Sequence, residues 1–343
     1  MTIQNPPDTP RTDPGPDPRE SKSLEVPDTT KGLSQAQLVR KRFLDNVAAI
    51  ISLVVFVLIV LLAFSSMGFL GVPGWWKYSH TEPMTLINNG QPTFQHIFNW
   101  GDHPFGQDTI GRDVFAMTMR GAQNSLVIMF IIGIIATVIG VVVGAVSGYF
   151  RGMVEAVLMR LTDVIIIIPV IVLAAVLGSI ANRYFDRGLG VLFLGVLIGL
   201  IAWTGMARLV RGEFLSLRER EFVDAAKIAG ASNNRIIFKH ILPNAVGVII
   251  VNTTLLMAAA ILIETALSYI GFGVQAPDTS LGKLISDNQE AFQTRPWLFW
   301  FPGLFIVVIC LSINFIGDGL RDAFDPRQKK FNAKKAKKMA SEA

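Results

Sequence analysis

A single cysteine, Cys310, stands in 343 residues. No disulfide can close within the chain, and its loops must be held by packing alone. Charge is scarce: Asp, Glu, Lys and Arg make up 17% of the residues and hydrophobic types 51%, too apolar a balance for a soluble protein of this length. No Gly-x-x-x-x-Gly-Lys-Ser/Thr, His-Glu-x-x-His or Gly-x-Ser-x-Gly occurs. The first absence excludes ATP held by this chain in a P-loop; the others leave no catalytic grouping. His80, His96 and His103 are 16 and 7 residues apart, which is not a helix-face metal spacing, so neither a metal site nor a catalytic residue is expected.

What the chain has in quantity is apolar runs. A helix needs about 20 apolar residues to cross the hydrocarbon core, and six stretches qualify or nearly do: 46–66, 126–149, 161–181, 190–210, 246–269 and 298–317. The expectation is an all-α polytopic membrane protein with six transmembrane helices. The first run follows a charged lead of more than forty residues and has no small-x-small site after it, so it reads as an anchor rather than a cleaved signal. With the N-terminus inside, segments 1–46, 150–160, 208–240 and 320–343 carry 24 of the 31 Lys and Arg residues. That asymmetry places both termini in the cytoplasm. The basic run around Lys334, Lys335, Lys337 and Lys338 fits anionic lipid headgroups better than nucleic acid.

Residues 1–36 are rich in Pro, Asp, Thr and Ser and read as a disordered cytoplasmic tail. Segment 37–67 is the cytoplasmic lead and first span, and 68–125 an outer segment. At the end of that segment Phe115, Met119, Ala122 and Leu126 share one helical face, with Asp113, Arg120 and Asn124 on another. The pattern predicts an amphipathic helix lying on the outer surface before span two. Gly140, Gly144 and Gly148 suit close helix packing. Pro169, after four isoleucines, predicts a bend, either a hinge or a static kink.

Charges inside spans are costly. Glu264 lies about 27 Å along its helix from Val246 at 1.5 Å per residue, which puts it near the outer boundary, as part of an outer gate or subunit interface, or simply as an interfacial carboxylate. Asp163 and Asp318, near inner span ends, read as helix-end or interhelix partners rather than a proton relay.

The most informative stretch is the loop between spans four and five: Glu221-Phe222-Val223-Asp224-Ala225-Ala226-Lys227-Ile228-Ala229-Gly230, then Lys239-His240-Ile241-Leu242-Pro243-Asn244. Ala225 and Ala226 are small enough to let a helix press into a groove. Gly230 can take positive φ and end that helix, and Pro243 fits the first turn of the next. An ordinary charged loop with incidental alanines is the bland alternative. The stretch resembles the EAA coupling loop of permease subunits in ATP-binding-cassette importers, through Asp224, Ala225, Ala226, Gly230, Leu242 and Pro243, with Glu221 just ahead. His240 departs from the usual Ile, but Lys-His-Ile-Leu-Pro-Asn is the wording of the peptide-permease branch.

From about residue 40 to 327 the chain resembles the C-type inner permease of oligopeptide and dipeptide importers. The resemblance rests on Lys41-Arg42-Phe43, the phrase at 103–113, the loop above, the phrase at 264–273, Pro302-Gly303 and the phrase at 314–326; Ser280-Leu281-Gly282 departs from a common Ser-Trp-Gly. It implies a type I importer transmembrane architecture, with a permease core over 126–325, a coupling loop at 211–243 and a basic tail at 326–343. It also implies a bacterial cytoplasmic membrane location, a second homologous permease, two ATPase subunits and an extracytoplasmic peptide-binding protein. This subunit then binds no cofactor; ATP and Mg are used by the partner ATPases. Permeases for other small solutes, such as nickel chelates, carry nearly the same wording. A secondary transporter is the alternative from another class, against which the docking loop and the lack of a clear inverted repeat argue.

Overall fold

The computed structural model describes residues 35–69, 71–94, 99–184 and 189–324. The expected tails fall outside it apart from residues 35 and 36, as does His96. The described chain is mostly helical. A short helix α1 (Gln35–Leu44) leads into α2 (Val47–Met67), whose first turn is capped by the Asn46 side chain accepting from the Ala49 N–H at 3.2 Å. A two-residue ribbon pairs β1 (Gly68–Phe69) with β2 (Val72–Pro73), and the outer segment then runs on to α3 (Val114–Phe150). After it come α4 (Gly152–Ile167), α5 (Val170–Tyr184), α6 (Gly190–Ala202) and α7 (Thr204–Arg218). The loop helices α8 (Glu221–Ile228) and α9 (Asn233–Arg235) precede α10 (Leu242–Tyr269), α11 (Leu281–Asp287) and α12 (Trp297–Phe324).

Helices α2, α3, α10 and α12 are each long and apolar enough to cross a membrane, while α4 with α5 and α6 with α7 form two bent pairs, turning by 83° and 42°. Counting each pair as one span gives six. The sharper bend has a direct cause. The ring of Pro169 disfavours helical geometry at the preceding residue, and Ile168 is extended at φ −80°, ψ 124°. Helix α5 restarts beyond it, with Val172 and Leu173 donating to the Pro169 carbonyl.

The central helix is α3, with α2, α6, α7, α10 and α12 packed around it. Gly140, Gly144 and Gly148 lie against α7 so closely that an added Cβ would come within 2.6–2.7 Å of Met206, the Ala207 carbonyl and Phe214 respectively. That stripe is therefore a packing seam within the chain. On the far side, Gly319 of α12 meets Ala49 of α2. Two ion pairs tie α4 to α7, Asp163 with Arg208 at 2.6 Å and Glu155 with Arg211. Asp163 is thus an interhelix partner, whereas Asp318 is exposed.

The expected surface helix before span two is corrected. Residues 114–125 are the first turns of α3 itself, and both of their faces are covered: Phe115, Met119 and Ala122 are buried on one, Thr118, Gln123 and Asn124 on others. The cover is the folded outer segment. His103 is buried against Asp113 at 2.8 Å and stacked on Tyr78, while Trp76 donates to the same carboxylate at 2.9 Å. Asp113 also caps α3, accepting from the Ala116 N–H. Gly106 and Gly111 take φ of +82° and +87°, and a Cβ on either would collide with the backbone of Gly90 or Met84. The 103–113 phrase is therefore the sequence of a tightly closed outer loop. Phe105 stacks on Phe301 of α12 at 3.9 Å and anchors that loop to the bundle.

Candidate docking loop and outer cluster

The loop between α7 and α10 is a folded unit. On α8, Val223 and Ala226 are buried, resting on Val210, Phe214, Ile236, Ile237 and Ile241. The adjoining side carries Phe222, Ala225 and Ile228, three residues apart and exposed, with Ile228 at 89% and Phe222, a turn from Ala226, at 38%. Glu221 and Asp224 lie in the exposed first turn, where acidic groups suit the helix dipole, and Asp224 pairs with Lys227 at 2.9 Å. Gly230 has φ +76°. The Gly230 N–H donates to the Lys227 carbonyl and the Ala231 N–H to that of Ala226. These are the two hydrogen bonds of a Schellman ending.

Beyond it, residues 236–241 form a wider, π-helical turn, in which the Leu242 N–H donates to the Ile237 carbonyl. A proline in a regular helix clashes with the carbonyl four residues back and offers it no N–H. Here the widened turn accommodates Pro243 in the first turn of α10, and the Asn244 amide donates to the His240 carbonyl at 2.6 Å. Tyr149 at the end of α3 donates to Asn233 at 2.8 Å, and Arg218 donates to the Tyr149 carbonyl. The loop is thus braced on the same α3–α7 seam that the glycine stripe forms.

The sequence-expected residues are split by this geometry. Glu221, Asp224, Ala225 and Gly230 are on the outside of the loop, Ala226 is turned into the chain's own core, and Leu242 and Pro243 join the loop to α10. Phe222 and Ile228 join the exposed set, and the sequence signal for them is their three-residue spacing with Ala225.

One reading of Glu264, an interfacial carboxylate, is corrected: the side chain is fully buried. Ser125 of α3 donates to one carboxylate oxygen at 2.8 Å and Ser268 of α10 to the other at 2.7 Å. The loop before α11 feeds both serines: the Leu281 N–H donates to Ser125 and the Ser280 hydroxyl to Ser268. Alongside, Arg120 holds Asp278 at 2.8 Å, and Asn124 donates to the Thr279 carbonyl at 2.7 Å. One buried carboxylate therefore gathers α3, α10 and the outer loop at 274–281. The sequence flagged the residue but not its serines, which come from three separate segments. Pro169 lines a separate apolar cavity of about 360 Å³, with Ile132, Ile201, Leu256 and Ile263 among its walls.

Four long apolar helices and two bent pairs, six spans when each pair counts as one, define a polytopic membrane protein. The chain belongs to the family of binding-protein-dependent transport system inner membrane components, whose model matches residues 136–330. A second model, the N-terminal TM domain of oligopeptide transport permease C, matches residues 34–89. Among similar proteins is the oligopeptide transport system permease protein OppC of Escherichia coli K12, 38% identical over 309 residues, covering 90% of this chain and 95% of the relative. The protein of the same name from Mycobacterium tuberculosis H37Rv is 37% identical over 297 residues, covering 87% of this chain and 96% of its own. In fold, the chain is similar to an inward-facing structure of the MetNI methionine ABC transporter, with TM-score 0.50 at 19% identity over 61% of this chain and 96% of that one.

Proposed function

We propose that this chain is the C-type permease subunit of an ATP-binding-cassette importer of oligopeptides or dipeptides in a bacterial cytoplasmic membrane. It forms half of the pathway beside a second, homologous permease. Two ATPase subunits dock from the cytoplasm and an extracytoplasmic binding protein delivers the peptide. The subunit binds no cofactor of its own and leaves ATP and Mg to its partners. Both termini are cytoplasmic, and the outer segment with the 274–297 loop faces the binding protein. The reading is supported by the named relatives and by the basic-residue asymmetry.

The observation that carries it is the exposed face of α8. Phe222, Ala225 and Ile228 leave apolar surface in water, while Val223 and Ala226 fix the helix from behind. Such a face is a partner surface. Co-expression with both ATPases, the second permease and the binding protein tests the whole reading. Labelled di-, tetra- or hexapeptide uptake, ATPase co-purification and opposite sidedness of reporters after residue 343 and within 85–94 are the expected results. Loss of ATPase capture with intact α8, or same-side reporters, would overturn it.

A further inference from the structure

Helix α2 carries one continuous strip open to lipid: Val47, Ile51, Val54, Leu58 and Leu61 are all exposed and fall on one side of the helix. At 21 residues α2 is about 31 Å long, so its first residue stands at the edge of a hydrocarbon layer about 30 Å thick. Just before it, Asn46 is extended at φ −88°, ψ 99°, which breaks the helix and turns α1 off the α2 axis. Gly319 of α12 fixes the height of α1. A Cβ there would lie 2.3 Å from Ala49 in the first turn of α2 and 3.4 Å from the Phe43 ring. The end of α1 therefore stays within a side chain's reach of the span boundary, at the level of lipid headgroups.

At about 100° per residue, Val39 and Phe43 turn toward the chain and are half-buried, whereas Arg40, Lys41 and Leu44 share the outer side and are exposed. Among the described residues Arg40 and Lys41 have no acidic partner, while Arg42, Asp45 and Asp322 are engaged. Two open cations beside an exposed leucine suit a helix lying in an anionic interface. The leucine enters the acyl boundary, the Lys and Arg stems lie along it, and their charges reach phosphate. An acidic protein surface would match the charges alone. The apolar strip that runs on from Leu44 through Val47 into the bilayer matches lipid. We propose that α1 lies on the membrane surface and that Arg40 and Lys41 bind the phosphates of anionic phospholipids, with Leu44 seated among their acyl chains. In the orientation given above, this is the cytoplasmic leaflet. The proposal needs α2 to cross the bilayer and nothing of the cargo, so its failure leaves the peptide-importer reading standing.

The test uses the full complex, otherwise free of cysteine, in phosphatidylcholine bilayers. With Cys310→Ala, Leu44→Cys carries a bimane fluorophore, and Ile228→Cys on α8 is the control. The quencher is a nitroxide near the top of the acyl chain, on either phosphatidylglycerol or phosphatidylcholine. Quenching at position 44 and not at 228 is expected. Labelled phosphatidylglycerol should associate with position 44 at least about fivefold more strongly than labelled phosphatidylcholine, the scale that one or two basic residues supply. High salt should lower that ratio, and the exposed double substitution Arg40→Gln, Lys41→Gln should bring it close to one. Absence of lipid quenching at position 44 overturns the proposal, including the case in which bound ATPase subunits shield that position instead. So does equal quenching by the two lipids. A ratio unchanged in the double glutamine variant also overturns it, because the headgroups then bind elsewhere.

Discussion

Ala225 and Ala226 are adjacent in sequence and about 100° apart around α8, which puts one outside and the other inside. Ala226, 8% exposed, rests on the chain's own core, while Ala225 is exposed between Phe222 and Ile228. Substitutions at the two positions therefore report different things. Ala226→Arg drives a long cation into a packed apolar cluster, at an expected cost on the order of 2–4 kcal/mol. Its expected effect is a loosened loop, seen as faster tryptic cleavage at Arg218 to Lys239 and a lower yield of assembled complex.

Ile228→Asp is the cleaner test of docking. Ile228 is 89% exposed, so the change should alter the fold of the permease by no more than about 0.5 kcal/mol. It should abolish ATPase co-purification and peptide uptake while tryptic resistance of the loop stays normal. Unchanged co-purification would remove α8 from the interface.

Gly230 sets where that helix stops. Its φ of +76° carries a penalty for any residue with a Cβ, and open space surrounds the site, so Gly230→Ala costs only the backbone strain, about 1 kcal/mol. Gly230→Pro also deletes the N–H that donates to Lys227 at 2.9 Å and demands negative φ. The expected order of uptake and of ATPase retention is unmodified, then Ala, then Pro. Equal activity for Pro and Ala would show that the turn does not position α8.

Much of this was legible because bilayers impose simple rules. Span lengths, the bend at Pro169 and the role of Gly230 follow from hydropathy, the pre-proline restriction and positive φ, all of which are local. What was not legible depends on contacts between distant segments. The start of α3 reads as amphipathic because its polar residues look solvent-bound; instead Asn124 bonds the 279 carbonyl and Gln123 donates to the carbonyls of Ala63 and Gly68. Distance along the α10 axis placed Glu264 near the boundary, and no count along one helix reveals that Ser125 and the 274–281 loop close over it. That Ala226 packs on the chain's own core was not legible, because a helix of eight residues gives too few positions to say which side faces home.

The outer segment should respond to pH through His80. Burial, aided by the positive charges of Arg120 and Arg112, holds its imidazole below the ordinary value of 6.5, with Asp278 opposing. The folded form therefore favours neutral His80. Stability from this group is full above pH 6.5 and is lost as pH falls through the lowered folded value, because the unfolded chain takes up the proton first. Thermal midpoints of the purified complex should drop between pH 7.5 and 5.5, and His80→Gln should flatten that drop. A profile unchanged by the substitution would assign the effect elsewhere.

Glu264 is the sharpest structural test. Two relays converge on its carboxylate, from the Leu281 N–H through Ser125 and from the Ser280 hydroxyl through Ser268. Glu264→Ala leaves both serine hydroxyls without their acceptor in a buried site, an expected loss on the order of 2–4 kcal/mol at about 1–3 for each unmatched group. Glu264→Gln keeps the shape and one carbonyl oxygen, and the serine facing the new amide can rotate to accept from it, so its loss should be smaller. Because the cluster clasps the 274–281 loop to α3 and α10, the Ala variant should also free that loop. Cross-linking from Lys283→Cys to the binding protein should then become weaker and less selective in position, while ATPase binding at α8 is unchanged. A thermal midpoint for Glu264→Ala equal to that of Glu264→Gln, with cross-linking intact, would show that the serines find other partners and that the carboxylate does not hold the outer loop.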